Sequence, residues 1–173
     1  DPSLLPAYGM LAQLYLSQRK LDQARQELDT LAERQTSPVG ALTMSGIILQ
    51  SQGRLDEARR RFERAVAADP RAAVASNNLA WLYAENGGNL DVALQLAQSA
   101  KQRAPSAAEI SDTLGWVYFR RGAFQEAEKA LLRAVERAPN NGAIRFHLGM
   151  TYARLGRKQD AVSTLRRAAQ LDP

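Results

Sequence analysis

Glu109 and Asp112 stand three residues apart, a spacing that puts two carboxylates on one helical face and would suit general acid and base chemistry. Acid pairs on solvated helices are common and usually inert, and the sequence sets no recognisable nucleophile or metal motif beside this one. Its single histidine, His147, has no partner imidazole and lies between Phe146 and Leu148, as an interface or surface residue would. There is no cysteine, and so no thiolate, disulfide or cysteine metal site. The patterns G-x-S-x-G, H-E-x-x-H and G-x-x-x-x-G-K-[ST] are absent as well. The expectation is a non-enzyme without cofactor or metal. The two tryptophans, Trp81 and Trp116, carry more information, and what they mean depends on the elements that hold them.

Those elements repeat. The 173 residues fall on a 34-residue period in five units, 5–38, 39–72, 73–107, 108–141 and 142–173, the third carrying one extra residue. At the eighth position stand Ala12, Gly46, Ala80, Gly115 and Gly149, and at the eleventh Tyr15, Leu49, Tyr83, Tyr118 and Tyr152. Then come Ala24, Ala58, Ala93, Ala127 and Ala161, each followed four residues on by Leu28, Phe62, Ala97, Leu131 or Leu165. Within each unit two stretches show helical apolar spacing. A turn at Gly53, Gly87-Gly88, Gly122 or Gly156 separates them, with Arg19 in that place in the first unit. Pro70, Pro105, Pro139 and Pro173 close the units, and Thr36 is the departure. Each unit therefore reads as a helical hairpin. The segment ENGGN at 85–89 reads as a longer turn, and Asp56 and Asp91 as residues that cap or complement the second helix.

This register resembles the tetratricopeptide repeat, with its W-x2-L-G-x2-Y, A-x3-F and closing Pro over 34 residues. The likeness covers nearly the whole chain, although the fourth position, often Trp in the family, holds Tyr8, Leu42, Ser76, Ser111 and Arg145. It implies an all-α, right-handed superhelical solenoid of antiparallel helix pairs, whose first helices line a concave groove. Residues 77–122 are also similar to the C-terminal repeats of long bacterial exported lipoproteins linked to exopolysaccharide production and protein sorting. That likeness implies a scaffold at a periplasmic or outer-membrane-associated address. Asp1-Pro2 falls at the same point of the period as Asp69-Pro70 and Asp172-Pro173, so the expectation is one array cut from a longer protein. Its last helix should then expose Val162, Leu165 and Ala169 and favour self-association.

The charge excludes less than it first suggests. Lys and Arg number 23 against 18 Asp and Glu, and Arg59, Arg60, Arg61 and Arg64 are the densest basic run. Asp56 precedes Arg60 by four residues and Glu57 precedes Arg61 by four, so the run reads as a self-paired helix face. The one aromatic within it, Phe62, holds the large apolar position of the repeat, and nucleic acid is not the expected partner. No apolar run is long enough to span a membrane.

Binding is the remaining function. On a helical wheel the fourth, seventh and eleventh positions of each first helix face its partner helix, and the ninth, fifth, twelfth and thirteenth face away. The outward stripe holds Ile47, Trp81, Trp116 and Met150 at the ninth position, and Asn77, Asp112 and Phe146 at the fifth. Phe119 joins at the twelfth, with Glu85, Arg120 and Arg154 at the thirteenth. Two readings are open. Either the tryptophans fill space between repeats, or the stripe is an aromatic floor for a peptide or protein segment, with Asn77 holding backbone groups while Asp112, Arg120 and Arg154 select charge. The family's clamp for chaperone C-terminal carboxylates requires Lys, Asn and Arg where this chain has Trp81, Thr113, Ala143 and His147, so such tails are not expected.

Overall fold

The computed structural model describes residues 10, 14, 15 and 17–172. Nine helices are found among them: α1 (Leu21–Arg34), α2 (Val39–Ser51), α3 (Leu55–Ala68), α4 (Ala73–Glu85), α5 (Leu90–Arg103), α6 (Ala108–Arg120), α7 (Phe124–Arg137), α8 (Gly142–Arg154) and α9 (Lys158–Leu171). Each lies where a hairpin arm is expected, giving the all-α helical-repeat solenoid. The first-helix residues Tyr8, Gly9, Ala12 and Gln13 lie outside the described residues.

The period has a simple physical origin. First helices are 13 residues long and second helices 14. Three residues join the helices of a pair and four lead to the next pair, except that 86–89 spends four inside the third unit. The extra residue thus sits in the turn, as the ENGGN reading requires. Second helices stop where a proline prevents continuation. Asp69, Ala104 and Ala138 each precede one and leave the helical region (φ/ψ −145/106, −133/70 and −133/70). Of the two roles expected for Asp56 and Asp91 they take the second: both lie in the first turn of their helices, where a carboxylate complements the helix N-terminus, while the Asn89 side chain does the capping, accepting from the amides of Asp91 and Val92. An asparagine one residue before the helix has the extended backbone that a capping oxygen needs.

The chain forms two compact units, Asp1–Leu79 and Ala80–Pro173. In the first, α1 packs on α2 and α2 on α3. Leu28, Leu31, Leu42, Ile48, Leu49 and Phe62 form its buried interior. Truncating Phe62, which is fully buried, should cost about 3–5 kcal/mol. Asp29 ties the three helices together: it accepts from Arg25 and Arg61 at 2.9 Å each and from Ser45 at 2.9 Å. Two members of the basic run, Arg59 and Arg61, are ion-paired, with other partners than expected. Arg61 reaches Asp29 across helices, Arg59 meets Asp56 at 3.3 Å, and Glu57 pairs with Arg54 at 2.7 Å. Adjacent turns and a facing helix offered closer carboxylates than the i, i+4 positions did.

In the second unit α5 packs on α6, α6 on α7, α7 on α8 and α8 on α9. Small residues of the first helices receive large ones from the second. A Cβ placed on Gly115 would lie 2.6 Å from Leu131 Cγ, and one on Gly149 would lie 2.6 Å from Leu165 Cγ. Where the second helix offers only Ala97, the first can carry Ala80, and both are fully buried in one cluster. This size exchange explains the alternation in the repeat.

Candidate functional site

The outward faces of α4, α6 and α8 in the second unit gather both tryptophans with Phe119, Phe146 and His147. The rings of Trp81 and Trp116 stack with centroids 6.3 Å apart and planes 29° from parallel. Trp116 continues onto Phe119 at 4.7 Å and 6°, and Phe119 meets the edge of Phe124 at 5.6 Å. The His147 ring lies against Trp116 at 4.4 Å and Trp81 at 5.5 Å, with Phe146 at 6.0 Å on its other side. Helix geometry produces this array: Trp116 and Phe119 are three residues apart on one helix, Trp81 and Trp116 share the ninth position of successive units, and His147 joins from the sixth position of the next first helix.

Polar groups fix the rings. Trp116 Nε1 donates to Glu85 Oε1 at 2.5 Å, and Arg120 Nη1 reaches the same oxygen at 3.1 Å. Asp112 Oδ1 lies 2.8 Å from His147 Nδ1. Both residues are buried, 8% and 7% exposed. The Arg154 guanidinium covers Phe124 at 4.7 Å and Phe119 at 5.9 Å. No carboxylate within ion-pair distance of it is found among the described residues. A guanidinium over an aromatic face gains from the ring's negative face and still carries five N–H donors for hydrogen bonds.

The structure thus brings together Trp81, Asp112, Trp116, Phe119, Arg120, Phe146 and Arg154 of the expected stripe. Met150 is half-buried on α8. Ile47 and Asn77 belong to the first unit. Ile47 lines an apolar cleft of about 350 Å³ with Thr43, Met44 and Val74, and Asn77 is half-buried with no partner for its Oδ1. Neither sequence reading of the tryptophans describes them fully. They pack on one another, and Trp116 also on the cluster around Val117, yet both remain half-exposed. The sequence reading gave Phe124 no role and His147 only that of an interface or surface residue. His147 is the centre of the array and Phe124 the seat of Arg154, and only the placement of His147 one residue after Phe146 on the stripe hinted at the first.

Glu109 is exposed while Asp112 is buried against His147, so the two carboxylates do not work as a pair. Among the described residues no three His, Asp or Glu side chains gather as a metal would need, and no helix is long and apolar enough to cross a membrane.

No curated protein matches the chain. Among solved structures it is similar to MamA residues 41 to the end from Desulfovibrio magneticus RS-1, at 20% identity and a TM-score of 0.78, covering 97% of this chain and 94% of that one. It is similar to MamA AMB-1 at 22% identity and 0.74, covering 95% and 97%. YrrB, titled a TPR protein with an unusual peptide-binding site, matches at 22% and 0.73, over 96% and 85%. Family models described as tetratricopeptide repeat match residues 5–36, 43–108 and 113–173. With that register filled by helix pairs of the expected length, the chain belongs to the tetratricopeptide-repeat family.

Proposed function

We propose that this protein is a non-catalytic scaffold that holds a peptide or partner segment on the outward faces of its first helices. The observation that carries this reading is the partly exposed ladder Trp81–Trp116–Phe119, in which the Trp116 N–H is already committed to Glu85, itself held by Arg120. A flat aromatic surface with satisfied edges gains by covering its faces, and Trp and Arg dominate binding energy at protein interfaces. The description of YrrB as peptide-binding is in keeping with it. Because Trp81 and Trp116 are the only tryptophans, acrylamide should quench both in the free protein, and a bound segment should shield them. Full protection in the free protein would defeat the reading.

A second reading has its own observation. Between α8 and α9 an apolar cleft of about 570 Å³ is lined by Ala143, Phe146, Leu165, Ala168 and Ala169, and Val162 nearby is 55% exposed. Such a surface favours self-assembly of the array, with no groove ligand needed. Sedimentation equilibrium separates the two: self-assembly predicts dimers whose population falls when Phe146 and Val162 are replaced by Glu.

A further inference from the structure

The charges around the aromatic ladder do not balance, and the imbalance falls on one residue. Glu85 is held by Trp116 and Arg120, and Asp112 by His147, so each nearby carboxylate has a protein partner. Arg120 is likewise matched to Glu85. Arg154 alone brings a charge to the ladder that nothing among the described residues neutralises. It is exposed, and its guanidinium carbon lies over two rings, Phe124 and Phe119. Contact with the rings restrains the side chain, and a planar fork of N–H donors loses less freedom than a flexible ammonium when an acceptor arrives.

We propose that Arg154 sets the specificity of this surface, and that the bound segment carries an Asp or Glu side chain close to an apolar or aromatic anchor. This rests on the groove reading above. One uncompensated positive charge matches one carboxylate, which a planar fork can accept with two parallel hydrogen bonds. A phosphate would bring a second negative charge with no cation left to meet it. Spacing follows from the ladder. Phe119 lies 4.7 Å from Trp116, and Arg154 lies 5.9 Å beyond, so the acid falls within about three extended residues of the side chain seated on Trp116.

The test begins with a synthetic library of C-terminally amidated peptides, about seven residues long to cover that reach, panned on the whole chain. The best binder, its Glu→Gln or Asp→Asn analogue and its phosphoserine analogue are then titrated by tryptophan fluorescence. Wild type is compared with Arg154→Gln, Arg154→Lys and Trp116→Ala, with circular dichroism confirming that each is folded. The expected result is enrichment of acidic residues next to an apolar anchor, and about a tenfold loss of affinity on Arg154→Gln. The amide analogue should lose as much on wild type and nothing further on Arg154→Gln, and Arg154→Lys should fall between. The difference should shrink in high salt. Binders without acidic preference, or unaffected by Arg154→Gln while lost on Trp116→Ala, overturn the role of Arg154 and leave the groove standing. Tighter binding of the phosphoserine analogue overturns the carboxylate assignment. If no peptide perturbs either tryptophan, both the groove and the inference fall.

Discussion

Nδ1 of His147 lies 2.8 Å from the Asp112 carboxylate, and the imidazole of that pair rests against both tryptophans of the protein. The pair supports the aromatic surface from beneath, since it positions a ring that touches Trp81 and Trp116. Asp112→Ala should leave a buried imidazole nitrogen unpaired and lower stability by about 1–3 kcal/mol. Asp112→Asn, which keeps an acceptor, should lose less. Urea denaturation measures the difference. A red shift of tryptophan emission in Asp112→Ala alone would report the loosened array.

Arg19 has φ +57, in the turn where four other units place glycines at +73, +72, +79 and +77. A side chain in this region is strained by roughly 1–2 kcal/mol, because Cβ crowds the following carbonyl. Arg19→Gly should therefore stabilise the first unit, by about 1 kcal/mol or less once the greater freedom of glycine in the unfolded chain is counted. Hydrogen exchange of the α1 amides should slow. The reverse change, Gly122→Arg, should destabilise.

Gly115→Ala puts a methyl group 2.6 Å from Leu131 Cγ in a packed helix pair, which should cost about 1–3 kcal/mol. Gly40→Ala is the control. Its Cβ would meet nothing within 4 Å, and in a helix alanine is favoured over glycine by up to about 1 kcal/mol. Thermal melts of the two variants should move in opposite directions.

Burial pushes the Tyr152 phenol above its usual range, against the opposing pull of Arg157, whose guanidinium lies 4.3 Å over the ring. The unfolded chain ionises this tyrosine first, so its contribution to stability falls as pH rises through about 10 toward the higher folded value. Tyr152→Phe should show a shallower alkaline loss of stability than wild type. Difference absorbance of the two proteins should place the Tyr152 transition above that of a free phenol.

The hairpins were legible because local rules write them. Glycine at 53, 122 and 156, proline after every second helix but the first, and the exchange of Gly115 with Leu131 all act within one unit. The stripe was also legible as a face, since Trp81 and Trp116 recur at one position of the period. Which stripe residues turn inward was not. Asp112 was expected to meet a ligand and instead meets His147, 35 residues away, and Arg61 finds Asp29, 32 residues away, rather than Glu57. Such choices depend on which side chain the next helix presents, and helical periodicity carries no information about that.

The four-residue turn 86–89 has a use beyond joining α4 to α5. A residue inserted within a helix rotates every later side chain by about 100° and would scatter the ladder. Here the added length is taken up where no rotation is passed on, and Ala93 and Ala97 keep their places opposite Ala80 and Ala84. The loop marks a seam in the chain at which length and register are uncoupled. A reporter, a crosslink or an additional segment grafted there would leave the phase of the helices on either side unchanged.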